Sequence, residues 1–249
     1  MTDLLKDKVA VVTCAATGLG RACAQALAEE GATVVVADVD LESARAVAGG
    51  LPSGVAAACD VRDDGQVAAL VTGTMERHGT LDVMVANTGI AAVSPLLDMT
   101  LDEWRMVTSL NLDAAFSVIR HAARAMVATD GGSIVALSSV TGLAGTPLLA
   151  HYAAANAGII SLTQSAAAEL RDQGVRVNVV CPGWVEGDPV LPRLEAGGLD
   201  MGAVVAQTQG RLGTPEEIAR LVLFLAGDRA RFCTGAVYVA DRGMRASLV

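Results

Sequence analysis

The chain has 249 residues, of which 52% are hydrophobic, and a formal net charge of -9. A chain of this length can bury a large core, and α/β folds of this size are often one domain, so a single domain over residues 1–249 is expected. The scattered acidic excess argues against nucleic acid or an anionic membrane as the main partner, which leaves a small molecule.

The cysteines are odd in number, far apart and never in a CxxC pair, so they indicate neither a disulfide framework nor a metal site. They are Cys14, Cys23, Cys59, Cys181 and Cys233. The sequence shows no signal peptide and no apolar run of the roughly 18 residues that would span a bilayer. A cytoplasmic protein is therefore expected.

Short apolar, β-branched runs alternate along the chain with Ala-rich stretches of helical period. The predicted strands are VAVVT (9–13), TVVVAD (33–38), VAAACD (55–60), DVMVAN (82–87), SIVALS (133–138), VRVNVV (175–180) and AVYVAD (236–241). The predicted helices lie near 18–30, 40–49, 63–78, 101–128, 152–172 and 215–226. Continuous apolar strands separated by helices predict an α/β fold, a Rossmann-type doubly wound parallel sheet of about seven strands.

One irregular stretch, residues 184–209, interrupts this alternation with prolines and glycines. Long loops in compact domains are usually lids or binding loops. We expect this substrate loop to cover the ligand crevice.

The turn after the first strand, TCAATGLGRACA, contains Gly18 and Gly20 before a helix. Such a turn presents backbone N–H groups and the positive end of the helix to a pyrophosphate, although packing or capping explains two glycines equally well. Asp38 ends the second strand, where a carboxylate binds the adenosine ribose and repels a 2′-phosphate, which favours NAD over NADP. The alternative is that Asp38 caps the helix that starts near Leu41.

The segment HYAAANAGI places Tyr152 and Asn156 four residues apart. On a helix these positions share a face, so the phenol and the amide would point into the same space.

Motifs that cover nearly the whole chain resemble those of the short-chain dehydrogenase/reductase family. They are VAVVTCAATGLGRACA, CDVRD, LDVMVANTGI, NLDAAFSV, SIVALSSVTGLAG, YAAANAGI, VRVNVVCPGWV, GRLGTPEEIARLVLFLAG and CTGAVYVADRG. The resemblance implies that Tyr152 is the general acid or base, that Ser139 binds the reacting oxygen, and that Asn111 holds a water. Each has an alternative: Ser139 as a turn cap, Tyr152 as a core aromatic, and Asn111 bonded to its own helix.

The resemblance also implies a set of NAD-binding residues, in which Asp60 lies at the adenine and Asn87 follows the fourth strand. The full set is Thr13, Gly18, Leu19, Gly20, Asp38, Asp60, Val61, Asn87, Gly89, Tyr152, Asn156, Pro182, Gly183 and Val185.

The chain departs from the family pattern at Asn156, where the family has a lysine that holds the nicotinamide ribose and lowers the tyrosine pKa. Asparagine keeps hydrogen-bonding groups but supplies no charge. The only lysines, Lys6 and Lys8, precede the first strand and so lie at the far end of the sheet.

Further departures concern the same cofactor, and they predict weakened NAD binding. Cys14 replaces the first glycine of the family's TGxxxGxG turn, and Gly187 replaces a threonine that binds the carboxamide. Ala86 and Thr88 alter the usual NNAG, and Arg242 interrupts the usual DGG.

Three functions are compatible with these residues. The favoured one is an NAD(H)-dependent oxidoreductase of modest activity on a secondary alcohol or ketone. The second is a non-redox enzyme in which Tyr152 and Ser139 donate hydrogen bonds to an oxyanion. The third is a catalytically inactive binding or partner subunit. A homodimer or homotetramer is expected, because the Ala-rich segments NLDAAFSVIRHAARAMVA and YAAANAGIISLTQSAAAEL resemble the pair of helices through which the family associates.

Overall fold

The computed structural model describes residues 3–188, 190–198, 200–208 and 210–246. Within these residues, seven parallel strands form one sheet in the order β3-β2-β1-β4-β5-β6-β7. The strands are β1 Val9–Thr13, β2 Thr33–Asp38, β3 Gly54–Ala58, β4 Val83–Ala86, β5 Gly132–Leu137, β6 Val175–Pro182 and β7 Val237–Ala240. The predicted single-domain, doubly wound sheet is confirmed, with strand ends displaced by a residue or two.

Helices cover both faces of the sheet. They are α1 Gly18–Glu29, α2 Leu41–Gly49, α3 Asp64–His78, α4 Leu101–Thr108, α5 Ala114–Val127, α6 Ala150–Leu170, α7 Leu191–Ala196, α8 Met201–Gln207 and α9 Pro215–Ala226. No helix in the described part of the chain is long and apolar enough to cross a membrane.

The strands bury both faces because alternate side chains point into two separate cores. Val11 belongs to the core under α3, α5 and α6, whereas its neighbours Ala10 and Val12 belong to the core under α1, α2 and α9. Near-continuous apolar runs such as VAVVT are therefore required on both sides of the sheet.

Two predicted elements differ in detail from the structure. The predicted helix over 101–128 is interrupted by a π-helical turn, Ser109–Asp113, which contains Asn111. A π turn inserts one extra residue into the helix, and apolar periodicity does not reveal it. The helix predicted over 152–172 begins two residues earlier, at Ala150.

The predicted loop 184–209 contains the two short helices α7 and α8. Its base is held by backbone hydrogen bonds, in which the Glu186 N–H donates to the Gly213 carbonyl at 2.8 Å and the Gly213 N–H to the Trp184 carbonyl at 2.9 Å. Positions 189, 199 and 209 of this stretch, like residues 1–2 and 247–249, lie outside the described residues.

Candidate active site

A cavity of about 290 Å³ opens where β1, β4, β5 and β6 end. The strand order changes direction between β1 and β4, and ligands of open α/β sheets gather at such a point. The predicted site residues that line the cavity are Gly18, Leu19, Asn87, Gly89, Ser139, Tyr152, Asn156, Pro182, Gly183 and Val185. The structure therefore brings the predicted acid/base group and part of the predicted cofactor set into one space.

The turn after β1 has the geometry of an anion cradle. A Cβ on Gly20 would lie 2.2 Å from the Cys14 carbonyl oxygen, so this position requires glycine. Gly18 has φ +52° and open space at its α-carbon. Thr17 precedes α1 without a side-chain capping bond, so the first turn of α1 presents backbone N–H groups to a ligand.

Asp38 lies beside this turn at the end of β2. Its carboxylate accepts hydrogen bonds from the Ala16 N–H at 3.0 Å and the Asp40 N–H at 3.1 Å. Asp40, not Asp38, caps α2, because its side chain accepts from the N–H groups of Glu42 and Ser43. The capping alternative for Asp38 is therefore wrong, and its ribose-binding role stays a prediction.

The remaining predicted adenosine residues lie outside the cavity. Asp60 forms an ion pair with Arg62, whose hydrogen bonds lower the pKa of the carboxyl, and Val61 is buried. Thr13 donates from its hydroxyl to the Asn87 carbonyl at 2.8 Å, which ties the end of β1 to the residue after β4.

Asn111 supports the cavity from behind and is only 1% exposed. Its amide donates to the Val107 carbonyl at 2.8 Å, within its own helix, and to the Ile90 carbonyl at 2.9 Å. A Cβ on Gly89, at φ +124°, would lie 2.0 Å from the Asn111 amide oxygen. The alternative of a back-bonded Asn111 is thus confirmed, and its role in holding water stays a prediction.

Ser139 and Tyr152 line the same cavity and lie close together, since hydrogen bonding by Ser139 lowers the pKa of Tyr152. The Ser139 hydroxyl accepts from the Thr141 N–H at 3.2 Å, so it caps a turn and lines the cavity at once. The Tyr152 ring packs beside the buried residues Leu149, Val190 and Leu194. Ser139 thus does cap a turn and Tyr152 does pack against core residues, as the two alternatives proposed, but both side chains still line the cavity.

Burial raises the pKa of Tyr152 to about 12, and the negative charge of Asp188 adds to the increase. Hydrogen bonding by Asn156 and Ser139 opposes it only in part. The phenol is therefore neutral at physiological pH and is a hydrogen-bond donor rather than a base.

The side-chain amide of Asn156 donates a hydrogen bond within its own helix. The residue is 2% exposed, and its Nδ2 donates to the Tyr152 backbone carbonyl at 2.9 Å. Lys8 pairs with Asp82 at 2.9 Å, at the amino ends of the strands and far from the cavity, and Lys6 precedes β1 as well. No described lysine lines the cavity.

Cys14 and Gly187, two other residues predicted to depart from the family pattern, have positive φ angles. Cys14 has φ +47°, so a residue with a Cβ occupies a conformation that favours glycine. Burial, with Asp38 nearby, raises the pKa of its thiol to about 12, which leaves it unreactive. Gly187 has φ +76° and open space around it, a conformation that a threonine would strain.

The substrate loop supplies cavity residues that the motifs did not reveal: Glu186, Asp188 and Arg193. Asp188 starts α7 by accepting from the Val190 N–H at 2.9 Å, and burial raises the pKa of its carboxyl. Arg193 donates from Nη1 to the Ala91 carbonyl at 3.1 Å. The only sequence signal for them is the charge that they carry inside a predicted lid.

Comparisons with known proteins agree with this geometry. A family model described as Enoyl-(Acyl carrier protein) reductase matches residues 14–245. The chain is 41% identical, over 99% of its length and 100% of the relative's, to a cis-4-hydroxycyclohexanecarboxylate dehydrogenase of Sinomonas cyclohexanicum. It is 35% identical, over 97% of its length and 96% of the relative's, to a cyclohexanol dehydrogenase of Acinetobacter sp..

Among solved structures, a short-chain type dehydrogenase/reductase from Mycobacterium marinum superposes with a TM-score of 0.91 at 32% identity, covering 99% of this chain and 98% of that one. The chain belongs to the short-chain dehydrogenase/reductase family. Its relatives are named dehydrogenases and reductases, which places it among the oxidoreductases that act on CH–OH groups.

Proposed function

We propose that the protein is an NAD(H)-dependent oxidoreductase that interconverts a secondary alcohol and its ketone with modest activity. The observation that carries the proposal is that Tyr152 and Ser139 line the same cavity as the Gly18 turn. A reacting carbon held beside this tyrosine and serine would thus lie next to the site for a dinucleotide.

The residues fit NAD better at its adenosine half than at its nicotinamide half. The first turn of α1 would bind the pyrophosphate. Asp38 would accept hydrogen bonds from the ribose hydroxyls and would repel a 2′-phosphate. At the other half, Asn156 uses one amide N–H on the Tyr152 backbone carbonyl and carries no charge, and Gly187 has no hydroxyl. NAD, when bound, accepts or supplies the hydride.

Tyr152 would move the proton at the reacting oxygen, and Ser139 would donate a hydrogen bond to the same oxygen. During reduction the neutral phenol gives up its proton and becomes a tyrosinate. During oxidation the tyrosinate must form first. Since burial and Asp188 disfavour the tyrosinate and Asn156 brings no charge, both directions are slowed.

A second function is supported by the same pKa. A phenol with a pKa of about 12 is a stable donor at neutral pH. Tyr152 and Ser139 could stabilise a developing oxyanion in a non-redox reaction, which needs neither lysine nor tyrosinate.

Cofactor titrations and alcohol turnover separate the two functions. We expect NADH to bind, detected as a change in its fluorescence, and NADPH to bind more weakly. We also expect cyclohexanol and acyclic secondary alcohols to be oxidised slowly. The names of two relatives make cyclic alcohols a sensible first panel. Tyr152→Phe should abolish turnover while cofactor binding is kept. Absence of NADH binding would rule the redox function out.

Assembly into a homodimer or homotetramer in the cytoplasm also remains a proposal. The helices predicted to associate are α5 and α6; Phe116 of α5 is exposed, as are Leu101 and Trp104 of the preceding helix α4. Such side chains on neighbouring helices fit an interface between copies of the chain.

A further inference from the structure

Arg193 on α7 is the one cation among the described residues that line the Tyr152 cavity. We infer that Arg193 binds a carboxylate on the substrate, so that the substrates are secondary alcohols or ketones that carry an acid group on a hydrocarbon frame. The inference rests on the proposed function in one respect, that the hydroxyl end of the substrate meets Tyr152 and Ser139.

Most N–H donors of the Arg193 guanidinium make no hydrogen bond to the described residues. Within the described part of the chain it gives one side-chain hydrogen bond, from Nη1 to the Ala91 carbonyl at 3.1 Å. An arginine has five N–H donors in a planar fork that matches the two oxygens of a carboxylate. Among the described residues no carboxylate pairs with Arg193, which is also true of exposed arginines such as Arg220, so its place in the cavity lining is what sets Arg193 apart.

The cavity that Arg193 lines also has apolar residues in its lining: Leu19, Ile90, Ala91, Leu137 and Val185. Ala91 accepts the Arg193 hydrogen bond through its carbonyl, so the guanidinium lies beside this apolar part of the lining. A hydrocarbon spacer would fit such a lining, with a hydroxyl at Tyr152 and an anion at Arg193.

The two acidic residues of the cavity lining restrict where a substrate carboxylate can bind. Glu186 and Asp188 are both acidic, and Asp188 raises the pKa of Tyr152 and therefore lies near the hydroxyl end. An anion near either carboxylate is repelled, and Arg193 is the group in the lining that attracts it. The same two carboxylates raise the opposite possibility, a cationic substrate, which the test includes.

The test compares three probes of one shape: 4-hydroxycyclohexanecarboxylate, its carboxamide and 4-aminocyclohexanol. We expect kcat/KM to be highest for the carboxylate. Arg193→Met removes the charge at similar length, and it should lower the carboxylate-to-carboxamide ratio of kcat/KM by about 10- to 100-fold, the range expected for a charge-assisted hydrogen-bonded pair. Because a ratio is measured, an effect on lid closure that is shared by both probes cancels.

Two controls accompany this comparison. Arg193→Lys keeps the charge without the fork and should retain part of the ratio. Arg220→Met removes an arginine from the exposed face of α9, away from the cavity, and should keep the ratio of the parent protein.

An unchanged ratio in Arg193→Met, or a preference of the parent protein for the carboxamide or the amine, overturns the inference. So does weaker NADH binding in Arg193→Met with the ratio unchanged, which would place the arginine at the cofactor. If neither these probes nor cyclohexanol and acyclic secondary alcohols are turned over, the proposed function fails, and calorimetry with cyclohexanecarboxylate still tests the anion site. Binding that Arg193→Met weakens at least tenfold supports that site, and no binding overturns it.

Discussion

Replacing Asn156 by lysine would return the charge that the family pattern has beside the tyrosine. Asn156 lines the same cavity as Tyr152 and lies one turn after it on the same face of α6. A lysine ammonium at this position would favour the tyrosinate and would also offset the charge of Asp188.

The magnitude follows from the pKa of Tyr152. At a pKa of about 12 the tyrosinate is about one part in 10⁵ at pH 7, so its formation costs about 7 kcal/mol. An opposite charge within a few ångströms lowers such a pKa by about 1 to 3 units. The tyrosinate fraction at neutral pH should therefore rise about 10- to 1000-fold, and alcohol oxidation should rise with it until another step limits the rate.

The assay is the pH dependence of kcat/KM for oxidation of a secondary alcohol, with NADH binding measured in parallel. Activity that requires the tyrosinate rises with pH through the tyrosine pKa, and Asn156→Lys should move this rise to lower pH. Asp188→Asn should move it in the same direction by less, since it removes only a secondary cause of the raised pKa.

Asn156→Met is the matched control, because it loses the same hydrogen bond to the Tyr152 carbonyl without adding charge. An equal gain in Asn156→Met would contradict the electrostatic explanation. So would brisk turnover by the parent protein that Asn156→Lys damages, because Asn156 would then be a working substitute for the lysine.

Three further predictions concern the cofactor end and the assembly. Asp38→Ala should narrow the preference for NADH over NADPH, measured by fluorescence titration, whereas Asp40→Ala, which removes the cap of α2, should lower thermal stability and leave the preference alone. Cys14→Gly should be more stable than Cys14→Ala by about 1 kcal/mol in chemical unfolding, because φ +47° penalises a Cβ; equal stabilities would show that no strain is stored there. Light scattering at micromolar concentration should give a dimer or larger, and Trp104→Glu should shift it toward monomer.

The architecture could be predicted from the sequence because strand and helix signals agree along the chain. VAVVT and TVVVAD are too apolar for a one-sided sheet, and Val11 and Val12 do enter opposite cores. The π turn around Asn111 and the helices of the substrate loop could not be predicted. A π turn depends on one inserted residue, and α7 and α8 are too short to show a periodic pattern.

The structure brings part of the predicted site into one cavity, and the roles of its residues stay predictions. Tyr152, Ser139 and Asn156 follow from their motifs, since parallel strands deliver their ends to one edge of the sheet. That Asn156 would bond to the Tyr152 carbonyl, rather than point its amide at a ligand, depends on rotamers that no motif records.

Asp188 and Arg193 were missed for a related reason: they reach the cavity from a lid whose path depends on its contacts with the folded body. The family motifs describe the chemistry at the strand ends, where a hydride and a proton move. The 184–209 stretch adds Glu186, Asp188 and Arg193 to the cavity lining, and we propose that Arg193 selects the substrate. In this chain Asn156 on α6 carries no charge, whereas Arg193 of the 184–209 stretch brings a cation to the cavity lining. A substrate anchored at its far end by Arg193 would keep its hydroxyl beside a neutral Tyr152 for longer, and accurate positioning of the reacting groups can offset part of a weakened acid or base.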